Sequence, residues 1–176
     1  MINQFRGEHF FLSNMCLVDK SLPTPDGVHV PTSDHFSMSS RFKRKKDRVA
    51  VAQARAEDGD NRIFADGLAA KNLAHEFIDE GRPHFQTPYE RVQLMHRAVF
   101  TKFVINPRLA YKLLETGRQK LVEGNNWDDR FWGVSPVENG TGSNYLGIIL
   151  MNVRGKMEVR LGETKRGEGG YGSTGH

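Results

Sequence analysis

Two stretches of this 176-residue chain carry side chains whose types and spacing could do chemistry. The longer is Asn126 to Arg154, NWDDRFWGVSPVENGTGSNYLGIILMNVR. It sets Asp128 and Asp129 between Trp127 and Trp132, then runs through a glycine-rich turn into an apolar segment with helical spacing. A carboxyl held against an indole loses solvent, which raises its pKa and fits it for general acid or base work near neutral pH. The plainer alternative is a loop anchored by core tryptophans with its acids in water. Gly140-Thr141-Gly142-Ser143-Asn144 precedes the apolar segment, where backbone amides and the positive end of a helix could hold a phosphate. A simple turn explains those residues as well. The lysine of a P-loop is missing, as are the strand and third glycine of a dinucleotide fingerprint. The shorter stretch is Pro31 to His35, where Asp34 and His35 open a helix as an acid beside an orienting imidazole.

Other chemistries lack their residues. There is no HExxH or comparable spacing, so His35 and the scattered His9, His29, His75, His84, His96 and His176 give no metal site. No GxSxG elbow supports a serine triad. The single Cys16 rules out an internal disulfide or a cysteine cluster, and it reads as an incidental or buried thiol. No metal or cofactor is implied.

The elements that must position these residues read as helices. Thr32 or Ser33 caps a first helix carrying Asp34 in its first turn. A second is expected over Asp47 to Ala56, an acidic loop over Glu57 to Asn61, and a third helix over Ala65 to Ile78 with Leu68, Leu73 and Phe77 at helical intervals. Thr87-Pro88-Tyr89-Glu90 is a capping box with proline at the first helical position, starting a helix to about Val104 that buries Val92, Met95, Val99 and Phe103. Asn106-Pro107 caps the next, with Leu109, Leu113 and Leu114 inward and Gly117 as the stop. A short strand is expected at Lys120 to Val122 and a last helix from Asn144 to Leu161. Met1 to Val30 reads as irregular structure with short strands. The fold class is therefore mainly α with a few short strands (α+β), one compact domain over 1–161 and a glycine-rich, disordered tail over 162–176.

The formal charge is +4 and the sequence pI about 9.3, which favours an anionic ligand. No apolar run approaches the length of a bilayer span, and the N-terminal residues lack signal-peptide architecture, so a cytoplasmic location is expected. Arg41 to Arg48 is a basic run opposed only by Asp47. It reads as a solvated helix end, or as a nucleic-acid contact, although no aromatic ladder interleaves with it.

Taken in order, the motifs resemble the NADAR superfamily, which includes YbiA-like N-glycosidases. The resemblance rests on FLSN at Phe11 to Asn14, Pro31-Thr32-Ser33-Asp34-His35, Lys102-Phe103, Thr116-Gly117 and Leu121-Val122-Glu123. It continues through Asp129 to Gly133 and through Gly142, Asn144, Leu146, Gly147, Leu150, Met151 and Arg154. It implies cleavage of the bond between a ribose C1 and a base, in riboflavin-pathway intermediates or in ADP-ribosylated guanine. Asp34 and Asp129 would then stabilise charge and activate water, and Trp132 and Gly133 would face the ribose or base. Asn14, His35, Arg41, Gly142 and Asn144 would hold ribose hydroxyls and phosphates. The partner implied is a nucleotide-like small molecule or an ADP-ribosylated nucleobase, free or within nucleic acid, with no membrane involved.

This chain departs from the family pattern at three places. Asp34 replaces a glutamate, and Arg41 replaces a lysine proposed to form an imine with the opened ribose, which a guanidinium cannot do. Lys43 or Lys45 takes its place, or the reaction runs by acid-base hydrolysis, or the chain is a non-catalytic ADP-ribose or nucleotide-binding module. Ser37-Met38 also replaces a tyrosine-glutamine pair, reshaping the base pocket.

Overall fold

The computed structural model describes residues 1–56, 62–85 and 87–168. Its helices are α1 (Ser33–Ser40), α2 (Lys45–Gln53), α3 (Arg62–Asp79), α4 (Pro88–Ile105), α5 (Pro107–Glu115) and α6 (Tyr145–Glu168). A 3-10 helix over Gly7–Leu12 precedes a two-stranded antiparallel ribbon, β1 (Leu22–Pro23) with β2 (His29–Val30), in which Leu22 faces Val30. The fold is mainly helical with a small sheet, as the periodicity predicts.

Local chemistry accounts for the element ends. Thr32 caps α1 by accepting the His35 amide at 3.1 Å. The capping box of α4 is complete: Thr87 Oγ1 accepts the Glu90 amide, and Glu90 accepts the Thr87 amide. Asn106 behaves differently from expectation. Its side chain makes no cap for α5; it donates to the carbonyls of Lys102 and Lys20 and accepts the Lys20 amide, tying the end of α4 to the N-terminal segment.

α1 is the centre of the molecule, buried from Ser33 to Ser39. Phe36 joins the main core with Met95, Val99 and Phe103 of α4 and with Leu146, Leu150 and Val153 of α6. On the other side, Met38 and Phe42 meet Val51 of α2 and Ala70, Ala74 and Phe77 of α3, with Phe42 edge-on to Phe77 at 5.7 Å. Burying a large apolar side chain contributes about 1.5–3 kcal/mol, and these two clusters clamp α1 between them.

Several boundaries moved. α2 starts earlier and ends earlier than its apolar pattern suggested, because Arg44 leaves extended backbone just before Lys45. Leu68 is 48% exposed, and the inward face of α3 is made by alanines instead, which bring it close to α1. The strand expected at Lys120 to Val122 is a single parallel bridge of Leu121 to Ile2. α6 continues to Glu168, past the expected end at Leu161. The acidic loop over 57–61 and the tail beyond 168 lie outside the described residues.

Lys102 is the unusual core residue. It is 1% exposed, and its ammonium donates to the carbonyls of Phe11 at 2.6 Å and Ser13 at 2.9 Å. Burial pulls its pKa down to about 8. Lys102→Met removes the ammonium from both carbonyls and leaves the Ser13 carbonyl only the Cys16 amide. It should destabilise the protein by about 1–3 kcal/mol in chemical denaturation and raise hydrogen exchange at 11–14 more than within α4.

Candidate active site

A helix places residues i, i+4 and i+7 on one stripe. On α1 that stripe is Asp34, Met38 and Arg41, and it forms the floor of a cleft of about 870 Å³. Lys71 and His75, one turn apart on α3, form one wall, and Arg91 enters from α4. The loop after α5 supplies Glu123, Asp129 and Trp132, while Arg6 and Phe10 close the remaining side with Trp127.

Each acid is held differently. Asp34 Oδ1 accepts from Asn14 Nδ2 at 2.8 Å, and the Asp34 amide donates to the Asn14 carbonyl at 2.9 Å. Its Oδ2 is buried without a partner. Burial lifts the Asp34 carboxyl to about 6, opposed by Lys71, the Asn14 hydrogen bond and Arg41, with Asp129 adding to the rise. Asp129 Oδ1 accepts the amides of Phe131 at 3.1 Å and Trp132 at 2.9 Å, fixing the carboxyl against the turn that carries Trp132. Glu123 Oε2 is also buried and unpartnered. Burial, and then Asp129, lift its carboxyl to about 7, against Arg6.

Arg41, Lys71 and Arg91 form no ion pair among the described residues. Burial lowers the pKa of Arg41, and the neighbouring Arg91 lowers it further, with Asp34 opposing; Arg91 is lowered by burial and partly restored by Asp129. Arg91 instead stacks over Phe131, 4.1 Å from the ring centre, and Arg41 Nε is buried without a partner. Two adjacent guanidiniums that form no ion pair among the described residues suit an anion with several oxygens.

Residues 3–158 match the NADAR domain family. The chain belongs to that family. It is 28% identical over 146 residues to an N-glycosidase of Nostoc punctiforme, covering 80% of this chain and 86% of that one. To the N-glycosidase YbiA of Escherichia coli it is 28% identical over 134 residues, 76% of this chain and 74% of YbiA. The NMR structure of E. coli YbiA superposes with a TM-score of 0.68 at 22% identity, covering 100% of this chain and 94% of that one. A riboflavin biosynthesis protein of Vibrio vulnificus is 33% identical over 153 residues, 85% of this chain but 36% of that larger protein.

The cleft of this NADAR domain gathers Asn14, Asp34, Arg41, Asp129 and Trp132, all expected from the sequence. It does not include the others. His35 is fully buried on the far side of α1, its ring between Thr32 Oγ1 at 3.0 Å and the Ala54 carbonyl at 3.1 Å. Burial lowers its pKa, and its two ring contacts tie α1 to the end of α2, outside the cleft lining. Gly133 and Gly142 serve close packing. A Cβ on Gly133 would collide with the Glu123 carbonyl, and one on Gly142 with the Gly133 carbonyl. Asn144 donates to the Leu121 carbonyl and accepts the Glu123 amide. The phosphate cradle expected at 140–144 is taken up internally. The amides of Thr141, Ser143, Asn144, Tyr145 and Leu146 donate to Ser135, Arg130, Gly133, Phe131 and Trp132.

Sequence reasoning missed Lys71, His75 and Arg91 as cleft residues, and it placed Glu123 only as a landmark. Lys71 and Arg91 carry no motif; only the helical faces on which they stand would have revealed them. Asn125, 2% exposed, was missed as the organiser of the loop: Oδ1 accepts the amides of Trp127 and Asp129, and Nδ2 donates to the Asp129 carbonyl. Asp128 points outward, paired with Arg130 at 2.6 Å. In the basic run, Arg48 is bound to Asp26 through both Nε and Nη2, while Arg44, Lys45 and Lys46 are exposed.

Asp34 keeps its proton to higher pH when folded, about 6 against 3.8. Its ionisation therefore removes stability as pH rises through that interval. Asp34→Asn keeps an acceptor for Asn14 and has no charge to bury. It should be more stable than the parent by about 1–3 kcal/mol at pH 7 and nearly equal to it at pH 4, measured by urea denaturation at both values.

Proposed function

We propose that this NADAR domain is an N-glycoside hydrolase that breaks the bond between ribose C1 and a nucleobase in an ADP-ribose or ribose-phosphate conjugate. The observation that carries the reading is the meeting, in one cleft, of buried carboxyls with guanidinium and ammonium groups that lack ion-pair partners among the described residues. Relatives named N-glycosidases support the reaction class.

Departure of the base leaves positive charge on the ribose, so the site needs negative charge at C1 and a base for the attacking water. Asp34 and Asp129 supply these. Asn14 holds Asp34 in place, and the Phe131 and Trp132 amides hold Asp129. Trp132 packs against the ring of the substrate, and Arg41 with Arg91 binds its phosphates. Neither Lys43 nor Lys45 lines the cleft; Lys43 lies over Phe85, and Lys71 is the lysine that reaches the cleft among the described residues. Hydrolysis by the carboxyls alone is the route the geometry supports best. Cyanoborohydride added during turnover should leave no adduct; a reduced adduct on Lys71 would replace that route with an imine.

A second reading, a non-catalytic ADP-ribose reader, is favoured by Arg41 standing where the family pattern has lysine. The deciding measurement is base release, followed by mass spectrometry, from ADP-ribosylated guanosine and from a ribosylaminouracil phosphate. The intact protein should release base from at least one. Asp129→Asn should lose at least about 100-fold in turnover while binding ADP-ribose within a few-fold of the parent. Binding without release from either conjugate would make the reader the correct account.

A further inference from the structure

The mechanism just given supplies negative charge and activates water, but it leaves the departing base without a proton donor. Glu123 is the carboxyl in the cleft that it does not use. The backbone there is held from three directions. Val122 and Gly124 donate to the carbonyls of Ile2 and Asn3, at 2.9 and 3.1 Å. The Glu123 amide donates to Asn144 Oδ1 at 3.0 Å, and its carbonyl accepts the Val134 amide at 2.9 Å. Gly133 is bare where it passes that carbonyl. A main chain so firmly fixed nonetheless ends in a carboxyl whose Oε2 is buried and bonded to nothing. An unpartnered buried polar atom is costly, and in a native structure it calls for an explanation such as a catalytic role.

We propose that Glu123 is the general acid of this site, donating its proton to the base nitrogen as the C1–N bond breaks. The proposal rests on the glycosidase reading. The bonding pair of the C1–N bond goes to the base, the proton from Glu123 neutralises it, and water adds to C1. The proton lost by that water goes to Asp34 or Asp129 and from there to solvent, and solvent reprotonates Glu123. The sum is one water consumed for one base and one ribose hydroxyl released. The charged groups acting on Glu123 are Asp129 from the same loop and Arg6 from the N-terminal segment; burial and Asp129 keep the proton on it near neutral pH, and Arg6 opposes them. Asn144, Gly133 and the Ile2–Asn3 segment are its positioning residues.

The role separates substrates by leaving group. Nicotinamide departs neutral and needs no proton, so NAD is a matched probe for ADP-ribosylated guanosine, and nicotinamide mononucleotide for the ribosylaminouracil phosphate. In Glu123→Gln, kcat for the guanosine or aminouracil conjugate should fall at least about 100-fold, and for its nicotinamide counterpart less than about 10-fold. The fall of kcat/KM as pH rises through about 7 should be present in the parent and absent from the variant. Circular dichroism and ADP-ribose binding establish that the variant is folded. Equal losses on both leaving groups, or an alkaline limb that survives in Glu123→Gln, would overturn the assignment. Where the parent does not cleave the nicotinamide conjugate, the alkaline limb alone decides. A parent protein inert on every conjugate defeats the glycosidase reading itself, and the acid falls with it.

Discussion

The buried ammonium of Lys102 is the contact on which the cleft depends. It reaches from the last turn of α4 to two carbonyls of the Phe11–Ser13 segment and forms no ion pair with a carboxylate among the described residues. The next residue in the chain is Asn14, which grips Asp34 through both side chain and main chain. An unpaired charge at that depth is expensive, yet carbonyl oxygens facing it make the segment's path nearly unique. The same helix end repeats the device with Asn106, bound to Lys20 through both its carbonyl and its amide. One helix thus fixes the loop that fixes the acid.

The second organising device is the loop from Gly124 to Asn144, built inward around Asn125. Its glycines let main chain pass main chain where any Cβ would intrude, and its polar backbone is satisfied by itself. The result is a rigid shelf presenting Asp129 and Trp132. Because the shelf uses the first amides of α6 internally, recognition of anions is left to side chains. Arg41 and Arg91 take that task, neither held in an ion pair among the described residues, with Arg91 lying over the rings of Phe131 and Trp132. The tension among these charges is a stability cost concentrated at the site, a familiar trade in enzymes.

Much of this was legible in the sequence. Capping residues and apolar spacing located the helices, and the order of short motifs pointed to Asp34, Asp129, Trp132, Asn14 and Arg41. The failures have a common cause. A motif is linear, and a helix turns each residue about 100° from the last. His35 adjoins Asp34 in the chain but faces α2, whereas Arg41, seven residues on, shares its stripe. Gly133, Gly142 and Asn144 belong to the motif because they build the shelf, and only the close backbone approaches at the glycines and the side-chain hydrogen bonds of Asn144 show that. Lys71 and Arg91 were invisible for the opposite reason: ordinary charged residues on ordinary helices, they become site residues by the way α3 and α4 pack on α1. Glu123 needed its environment, since nothing in its letter reveals an oxygen with no neighbour.

The pairing of Ile2 with Leu121 joins two points separated by most of the chain's length. Glu123 is anchored through that pairing, Asp34 through the loop that Lys102 holds, and Asp129 through the loop closed against α6. Loop closure over such separations comes late in folding, after local helices have formed. A growing chain leaving the ribosome would thus hold every helix up to α5 and still have no assembled cleft. The carboxyls are brought together only as the N-terminal segment and the loop after α5 meet the first helix, so a fragment that ends before Asp129 carries an incomplete site.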